Sequence, residues 1–362
     1  MTPFKSLLEK KVFNRNHIIE MLSATGENYE LLLKKAYEVK QQYIGNKVYF
    51  RGLVELSNIC SKNCYYCGIR HDNKKVKRYA VTDDEVIECA RYAHNRQWGS
   101  LVLQSGELNT PAFTNRIEKL LREIKKIGNG ALGVTLSCGE QTEEVFRRWF
   151  EAGVHRYLLR IESATPELYA NIHPNDANHS YQNRIDTLKL LQKCGYQTGT
   201  GVMIGLPFQT IEHLADDLIF MRDFDIDMCG MGPYIEHEDT PLYAHRDKLP
   251  SLQQRLQLSF KMIACLRIIM KDINIASTTA LQTIDPKGRE NGLKAGSNII
   301  MPNITPVKYH DNYNLYKGKP AIPEETDEYL KGLEKQINDA GDEIAYGVWG
   351  DPLHFFARKN NT

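Results

Sequence analysis

Short apolar runs alternate with longer amphipathic stretches over most of the chain. Between residues 48 and 302 this alternation repeats eight times. Continuous apolar runs are typical of parallel strands buried on both faces, and the stretches between them have the periodicity of amphipathic helices. Eight strand–helix units predict an α/β fold, a (β/α)8 barrel of the TIM type. A doubly wound open sheet is the structural alternative, but it needs fewer strands or a second domain.

The pattern also gives approximate element bounds. The runs predicted as strands are 48–56, 100–104, 132–137, 156–161, 198–204, 228–231, 273–277 and 298–301. The stretches predicted as helices are 82–96, 112–127, 142–152, 166–172, 180–194, 210–224, 251–270 and 288–295. Thr82 and Glu85 at the start of the first of these helices have the spacing of a capping box.

The segments on either side of this pattern are predicted to be accessory regions. Residues 1–46 carry two amphipathic faces, so we expect an N-terminal helical cap that precedes the barrel at 47–302. Residues 303–362 are loop-rich, with one predicted helix at about 324–340. We expect this C-terminal extension to pack on the barrel and to close its bottom or its mouth.

Composition excludes several classes of function. The chain is 42% hydrophobic and 25% charged, with a net charge of +1, which is ordinary for a globular protein and gives no field for nucleic acid or anionic membrane. No apolar run is long enough to cross a bilayer, and the polar start lacks the apolar core of a signal peptide. The sequence therefore predicts a soluble, cytoplasmic protein.

Three of the eight cysteines lie within eight residues, in the order Cys60-x3-Cys64-x2-Cys67. Thiolates suit iron–sulfur clusters or zinc, and a structural zinc site usually shows a second Cys or His pair, which does not follow here. A [4Fe–4S] cluster on three cysteines leaves one iron open for a substrate or cofactor. Such a cluster is oxygen-sensitive when exposed, which indicates an anaerobic setting. The other five cysteines are predicted to be small buried hydrophobes.

Polar side chains lie at the carboxyl ends of the first four apolar runs, where barrel enzymes place their chemistry. Besides the cysteines, they include Ser105-Gly106-Glu107 after the second run and Arg160 with Glu162 at the fourth. Arg184 begins the helix that follows. An ordinary turn or an Arg–Glu pair satisfied within the barrel would also explain these residues.

The cysteine spacing, with Tyr66 before the last cysteine, resembles the motif of the radical S-adenosylmethionine (SAM) superfamily. In that superfamily the open iron chelates SAM, and reduction releases a 5′-deoxyadenosyl radical. Ser105-Gly106-Glu107 resembles the family's "GGE" element, and Thr200–Pro207 resembles its "GxIxGxxE" region without the glutamate. The resemblance implies that SAM contacts Tyr66, Ser105, Gly106, Glu107, Glu162, Arg184, Gly205 and Leu206.

A wider set of segments is similar to the HydE-type [FeFe]-hydrogenase maturases and to their relatives 3-methylornithine synthase and biotin synthase. The segments are Cys64–Arg70, Leu103–Glu107, Arg156–Arg160, His237–Leu242, Thr278–Ala280 and Ile299–Asn303. The resemblance implies that the substrate contacts Gln104, Thr135, Ser137, Arg160, Met228, Thr278, Thr279, Met301 and Tyr309.

The same resemblance implies a role and partners. A HydE-type enzyme is a monomer that helps to assemble the di-iron subsite of the H-cluster, acting on a cysteine-bound Fe(CO)2(CN) precursor. The resemblance also implies that the other maturases, HydG and HydF, are partners and that ferredoxin or flavodoxin is the reductant. Some of these proteins carry a second cluster on C-terminal cysteines, but no cysteine follows Cys265 here. A single cluster is therefore expected.

Two other functions remain open from the sequence. One is a radical SAM mutase that acts on an amino acid, as in 3-methylornithine formation. The other is a non-catalytic iron–sulfur carrier, which needs no cavity lined by polar strand ends.

Overall fold

Eight parallel strands form the centre of the molecule. The computed structural model describes residues 2–319, 324 and 326–360; Met1 of the predicted cap and residues 320–323, 325, 361 and 362 of the predicted extension lie outside them. The barrel strands are β1 (Lys47–Ser57), β2 (Ser100–Ser105), β3 (Gly133–Ser137), β4 (Arg156–Leu158), β5 (Gln197–Thr200), β7 (Met228–Cys229), β9 (Asn274–Ile275) and β10 (Ile299–Ile300).

The strands pair in the order β10-β1-β2-β3-β4-β5-β7-β9, and all of these pairs are parallel. A single parallel bridge between Ala276 and Ile299 joins the two ends of the sheet. The predicted (β/α)8 barrel is thus confirmed, and the open sheet is excluded because its two edges meet.

Helices cover the outside of the barrel. Those within the barrel sequence are α4 (Asp83–Asn95), α5 (Pro111–Lys126), α6 (Glu143–Glu151), α7 (Pro166–Ile172), α8 (Tyr181–Lys193), α9 (Ile211–Asp223), α10 (Leu252–Ile269), α11 (Thr279–Ile284) and α12 (Gly288–Lys294). Their apolar faces pack on the strands and form two large clusters of buried side chains and a smaller third one. The capping box at Thr82 and Glu85 is confirmed, since each side chain accepts the other's backbone N–H.

Most of the predicted strands are shorter in the structure than the sequence pattern indicates, and two of these differences lie next to the site. The run 198–204 is divided into β5 and β6 (Met203–Ile204), and β6 pairs with β8 (Gly232–Pro233) in a separate two-stranded sheet. The run 156–161 is a strand only to Leu158, and Glu162 beyond it has a φ of 64°. The apolar pattern does not show where these strands end, because most side chains remain buried after the strand geometry stops.

The N-terminal helices α2 (Arg15–Leu22) and α3 (Gly26–Tyr43) pack on α9 and α10, and α1 (Pro3–Leu8) packs on α3. After the barrel come α13 (Asp327–Asp339), β11 (Glu343–Ile344) and α14 (Leu353–Asn360). β11 adds to the amino-terminal end of β1.

The chain after β11 closes the bottom of the barrel, where the strands begin. Two fully buried arginines inside the barrel bind it: Arg51 Nη2 donates to Gly350 O at 3.0 Å and Arg156 Nη1 donates to Trp349 O at 3.1 Å. Arg156 also pairs with Asp351. The tail therefore supplies the oxygen atoms that these buried cations need.

His354 fixes the last helix beneath the barrel. Its two ring nitrogens lie 2.6 Å from Asp225 Oδ1 and 2.9 Å from Asp272 Oδ1. Burial alone lowers the pKa of His354, but the two carboxylates outweigh burial and raise it from 6.5 to about 9. The folded protein therefore holds a charged imidazole near neutral pH.

Replacing His354 by Asn is expected to destabilise the protein in a pH-dependent way. Because its folded pKa is raised, the stabilisation is fully present below 6.5 and is lost as pH rises through about 9. We expect a loss of about 1–2 kcal/mol in the free energy of unfolding at low pH, after allowing for solvent screening. Urea unfolding of the wild type and of His354→Asn at several pH values across this range measures the difference in free energy. An equal loss of stability at all pH values would contradict the role of the charged imidazole.

Candidate active site

The loop between β1 and α4 carries the three clustered cysteines at the mouth of the barrel. Arg78 holds this loop from within, donating to the carbonyls of Asn58, Ile69 and Arg70 at 2.6–2.7 Å. Cys64 is buried, while Cys60 and Cys67 are half-buried, and all three thiols are free.

The three thiols lie close enough to influence one another. Burial raises the pKa of Cys64 to about 12, and the neighbouring Cys60 contributes to this shift. Burial also raises the pKa of Cys67 well above its usual value, with further contributions from Cys64 and Cys60. Without a metal these thiols stay protonated, and a bound metal cation would lower their pKa values and displace the protons.

The cysteines do not converge on one point. Among the residues that the structure describes, no three His, Cys, Asp or Glu side chains are placed to hold a single metal ion. An iron–sulfur cluster does not require this convergence, because each cysteine binds a different iron. Three free thiols on one loop thus fit a cluster better than they fit a zinc ion.

Gly106 allows the end of β2 to touch the cysteine loop. A Cβ on Gly106 would lie 2.3 Å from Ile59 O and 2.9 Å from Cys60 Cβ. The next residue, Glu107, donates its backbone N–H to Cys60 Sγ at 3.3 Å, and Lys62 does so at 3.4 Å. The close approach therefore aims two backbone donors at one sulfur.

Four charged side chains form a network beside this loop. Lys62 Nζ lies 3.0 Å from carboxylate oxygens of both Glu107 and Glu140. Arg184 Nε lies 2.7 Å from Glu140 Oε1, and Arg184 Nη2 lies 3.6 Å from Glu107 Oε2. Each side chain is at most 12% exposed. Burial raises the pKa of Glu107 more than Arg184 and Lys62 lower it.

Arg184 retains binding capacity despite these ion pairs. Its buried Nε faces Glu140 Oε1 without the geometry of a hydrogen bond, and its Nη1 donates to Arg160 O at a long 3.5 Å. The buried hydroxyl of Tyr169 lies beside Arg184 and also lacks a hydrogen bond of good geometry. Buried donors without acceptors cost free energy, so this region fits a bound carboxylate.

Arg160 and Glu162 follow β4 and pair with each other. Arg160 Nε and Nη2 each lie 2.8 Å from one oxygen of Glu162, and Arg160 also donates to Val202 O. A carboxylate offers about four acceptor positions, so Glu162 keeps capacity for further donors.

The turn after β6 presents backbone groups at the same end of the barrel. Gly205 has a φ of 80°, and a Cβ there would lie 2.3 Å from Arg255 Cγ. Gln209 Oε1 accepts the N–H groups of Gly205 and Leu206. On the cysteine loop, Tyr66 Oη lies 3.3 Å from His173 Nε2.

Five of the predicted substrate residues lie together at the mouth. Gln104 and Ser137 are paired in register on β2 and β3. Arg160, Thr278 and Met301 follow the carboxyl ends of β4, β9 and β10. All five are half-buried, which leaves part of each side chain open to a ligand.

The other four predicted substrate residues lie elsewhere. Thr135 Oγ1 accepts from Arg156 Nε at 2.9 Å, and Met228 Sδ lies 3.2 Å from Arg51 Nη1, which places both in the lower barrel. Thr279 accepts from Arg289, and Tyr309 stacks on Tyr79 and donates to Glu85. Position near a strand end did not determine which way these side chains point.

The structure adds residues that the sequence analysis did not assign to the site. Glu55 is paired in register with Gln104, is 1% exposed, and binds Lys319 and Asn303. Tyr313 Oη accepts from Gln104 Nε2 at 3.2 Å. A glutamate inside the first apolar run was a usable signal for Glu55, but Lys319 and Tyr313 come from a distant segment.

Substituting Gly106 by Ala is expected to destabilise the protein by roughly 1–3 kcal/mol, because the new methyl group meets backbone atoms that cannot move aside cheaply. Urea unfolding measures this loss. Gly332, in α13, is the matched control, since a Cβ there meets nothing within 4 Å. Gly332→Ala should be neutral or slightly stabilising; an equal cost at the two sites would contradict the close contact at Gly106.

No helix in the part of the chain that the structure describes combines the length and apolar character needed to cross a membrane.

Comparison with known proteins identifies the family. The model of the radical SAM superfamily matches residues 54–221. The [FeFe] hydrogenase maturase subunit HydE of Thermotoga maritima is 43% identical over 335 residues, which cover 92% of each chain. This confirms the resemblance found in the sequence, and the family implies a [4Fe–4S] cluster and SAM.

Solved structures support the fold. Methylornithine synthase (PylB) superposes with a TM-score of 0.79 at 22% identity, covering 96% of this chain and 98% of that one. The maturase HydG from Carboxydothermus hydrogenoformans gives a TM-score of 0.78 at 18% identity, covering 95% and 78%. On the strength of its similarity to HydE, the chain belongs to the HydE family of radical SAM enzymes.

Proposed function

We propose that this enzyme acts in assembly of the [FeFe]-hydrogenase H-cluster, on a cysteine-bound Fe(CO)2(CN) precursor. The observation that carries the proposal is the combination of 43% identity to HydE with three free thiols at the barrel mouth. The buried, under-bonded Arg184 beside those thiols supports it, because such a site is built for a ligand that carries a carboxylate.

Cys60, Cys64 and Cys67 would ligate three irons of a [4Fe–4S] cluster, leaving the fourth for SAM. When bound and reduced, this pair of cofactors supplies a 5′-deoxyadenosyl radical. The protein holds Cys60 Sγ with two backbone N–H donors, which favour the thiolate over the thiol.

Residues around the loop would bind SAM. Arg184 would take its carboxylate, and Glu162 would accept hydrogen bonds from the ribose with the lone pairs that Arg160 leaves free. Gly205 and Leu206 present a close-packed backbone turn for the adenine. Ser105, Gly106, Glu107 and Tyr66 would line the remaining side next to the cluster.

The upper barrel would orient the substrate. Gln104, Ser137, Arg160, Thr278 and Met301 lie at the mouth and would contact it directly. Thr135 and Met228 form the layer below, while Thr279 and Tyr309 hold neighbouring side chains. The bottom of the barrel is closed by the tail, so reaction at the mouth is shielded from water on that side.

The proposed partners follow from the family. HydG and HydF would exchange intermediates with this enzyme, and ferredoxin or flavodoxin would supply the electron. We propose that each chain binds one cluster and that the enzyme is a monomer.

A mutase that acts on an amino acid is the second candidate. It is favoured by the match to methylornithine synthase, which superposes over 96% of this chain. The half-buried Arg160 and Thr278 would suit a small amino acid as well as a cysteine-bound complex.

Production of 5′-deoxyadenosine tests the enzyme class. The protein is reconstituted anaerobically with iron and sulfide, reduced with dithionite and given SAM. The wild type should release 5′-deoxyadenosine, whereas Ala at Cys60, Cys64 or Cys67 should remove both the cluster iron and the product. Cys194→Ala, at a single buried cysteine elsewhere, is the control and should keep both. Full iron content in the three loop variants would refute the ligand assignment.

The same assay separates the two candidate functions. A cysteine-bound iron carbonyl–cyanide complex should accelerate the release of 5′-deoxyadenosine if the enzyme is a maturase. Acceleration by lysine alone would instead select the mutase. A full cluster that gives no product with either addition would favour the iron–sulfur carrier.

Glu162→Ala is expected to weaken SAM binding about tenfold or more while leaving the iron content unchanged, because it removes charged acceptors from the ribose site. Equilibrium dialysis with labelled SAM gives the dissociation constant. Glu167→Ala, at an exposed position on α7, is the matched control. An unchanged affinity in Glu162→Ala would exclude this residue from the SAM site.

A further inference from the structure

The cysteine loop is attached to the segment that leads into α8. Asn63 on the loop donates its backbone N–H to His179 Nε2 at 2.8 Å. Lys62 Nζ binds the carbonyl of Asn178. Lys62 and Asn63 are both within the cysteine motif, so the loop cannot shift without moving the start of α8, where Arg184 lies.

The charges at this junction cancel. Lys62 and Arg184 contribute two cations, and Glu107 and Glu140 contribute two carboxylates. Every close ion pair links one of the cations to one of the carboxylates. The network therefore has no net charge, and loss of any one member leaves a buried unit charge next to Cys60.

Glu140 is the centre of this arrangement. Its Oε2 lies 3.0 Å from Lys62 Nζ and accepts from Asn183 Nδ2 at 2.8 Å, while its Oε1 faces Arg184 Nε. Gly139 next to it has a φ of 77°, and a Cβ there would lie 2.0 Å from Glu107 Cγ. The backbone is thus shaped to bring the two carboxylates side by side.

We propose that Lys62 and Glu140 are positioning residues that set the electrostatic potential at the iron–sulfur cluster and at the carboxylate site of Arg184. The proposal rests on the proposed cluster and SAM sites and deepens them. Neither side chain contacts a reacting atom: Lys62 acts through Glu107 and the cysteine loop, and Glu140 acts through Arg184.

The two residues should act with opposite sign. Reduction adds negative charge to the cluster, so a nearby cation stabilises the reduced form and a nearby carboxylate destabilises it. Lys62→Met should therefore move the midpoint potential to more negative values. Glu140→Gln should move it to more positive values. A role limited to holding the fold does not predict opposite directions.

The double variant provides the sharpest test. Lys62→Met with Glu140→Gln removes one charge of each sign, so the network is again neutral and the potential should return toward that of the wild type. Lys62→Arg keeps the charge and should resemble the wild type. Glu143→Gln and Lys193→Met, an exposed ion pair of the same residue types, are the matched controls and should leave the potential unchanged.

SAM affinity is a second readout. In Lys62→Met, Arg184 is the one remaining cation of the network and faces two carboxylates, so the network has a net negative charge. This charge repels the carboxylate of SAM, and the dissociation constant for SAM should rise about tenfold. Lys62→Arg should restore it.

The measurement is an anaerobic redox titration followed by electron paramagnetic resonance, with iron content and circular dichroism recorded for each variant. Shifts of opposite sign that cancel in the double variant support the proposal. Shifts of the same sign, or a double variant no closer to the wild type, overturn it. If the Lys62→Met variant takes up less iron, the midpoint potentials of Glu140→Gln and Glu140→Asp are compared instead. A shift in Glu140→Gln that is absent in Glu140→Asp supports the proposal, because only the first substitution removes charge.

Failure of the proposed function would look different. A wild type that takes up no cluster would count against the ligand assignment of the three cysteines. A wild type that loads the cluster and cleaves SAM, with variants that show no opposite shifts, would overturn only the role of Lys62 and Glu140. Substrate turnover enters none of these measurements.

Discussion

The buried ion pairs among Lys62, Glu107, Glu140 and Arg184 are the interaction on which the active site depends. They join residues from the cysteine loop and from the segments that follow β2, β3 and β4. Charges at this depth are tolerated only when they are paired, so each of these segments is held in place by the others. The geometry of the loop is therefore a property of the barrel mouth, not of the loop alone.

The two ends of the barrel use buried charge for different purposes. At the bottom, every side-chain nitrogen of Arg156 is bonded: Nε to Thr135, Nη2 to Ser100, and Nη1 to Trp349 O and Asp351 of the tail that closes that end. At the mouth, Arg184 has ion-pair partners but lacks well-formed hydrogen bonds. A satisfied cation stabilises a structure, while an under-bonded one is available to a ligand. This contrast agrees with the general position of ligand sites at the carboxyl ends of the strands in barrels of this type.

Part of the site could be predicted because its signal is local. The cysteine spacing, the residues around Gly106 and the pair Arg160–Glu162 lie within short segments next to strand ends, and the structure places all of them at the mouth. Thr135 and Met228 were assigned to the substrate on resemblance, but strands alternate and stagger, and both side chains lie one layer lower. Lys319 reaches Glu55 across 264 residues, a contact that no spacing rule reports.

The sequence by itself determined the fold class and the family and predicted the chemistry of the cysteine loop, because periodicity and motif spacing depend on residues that are close in sequence. Only the tertiary structure decided the partners of Arg184, the division of the run 198–204 into two strands, and which polar side chains share the mouth. These depend on strand stagger and on contacts between distant segments. Charge pairing in a buried site is such a contact: its free energy is set by the distances between groups, and folding alone fixes those distances.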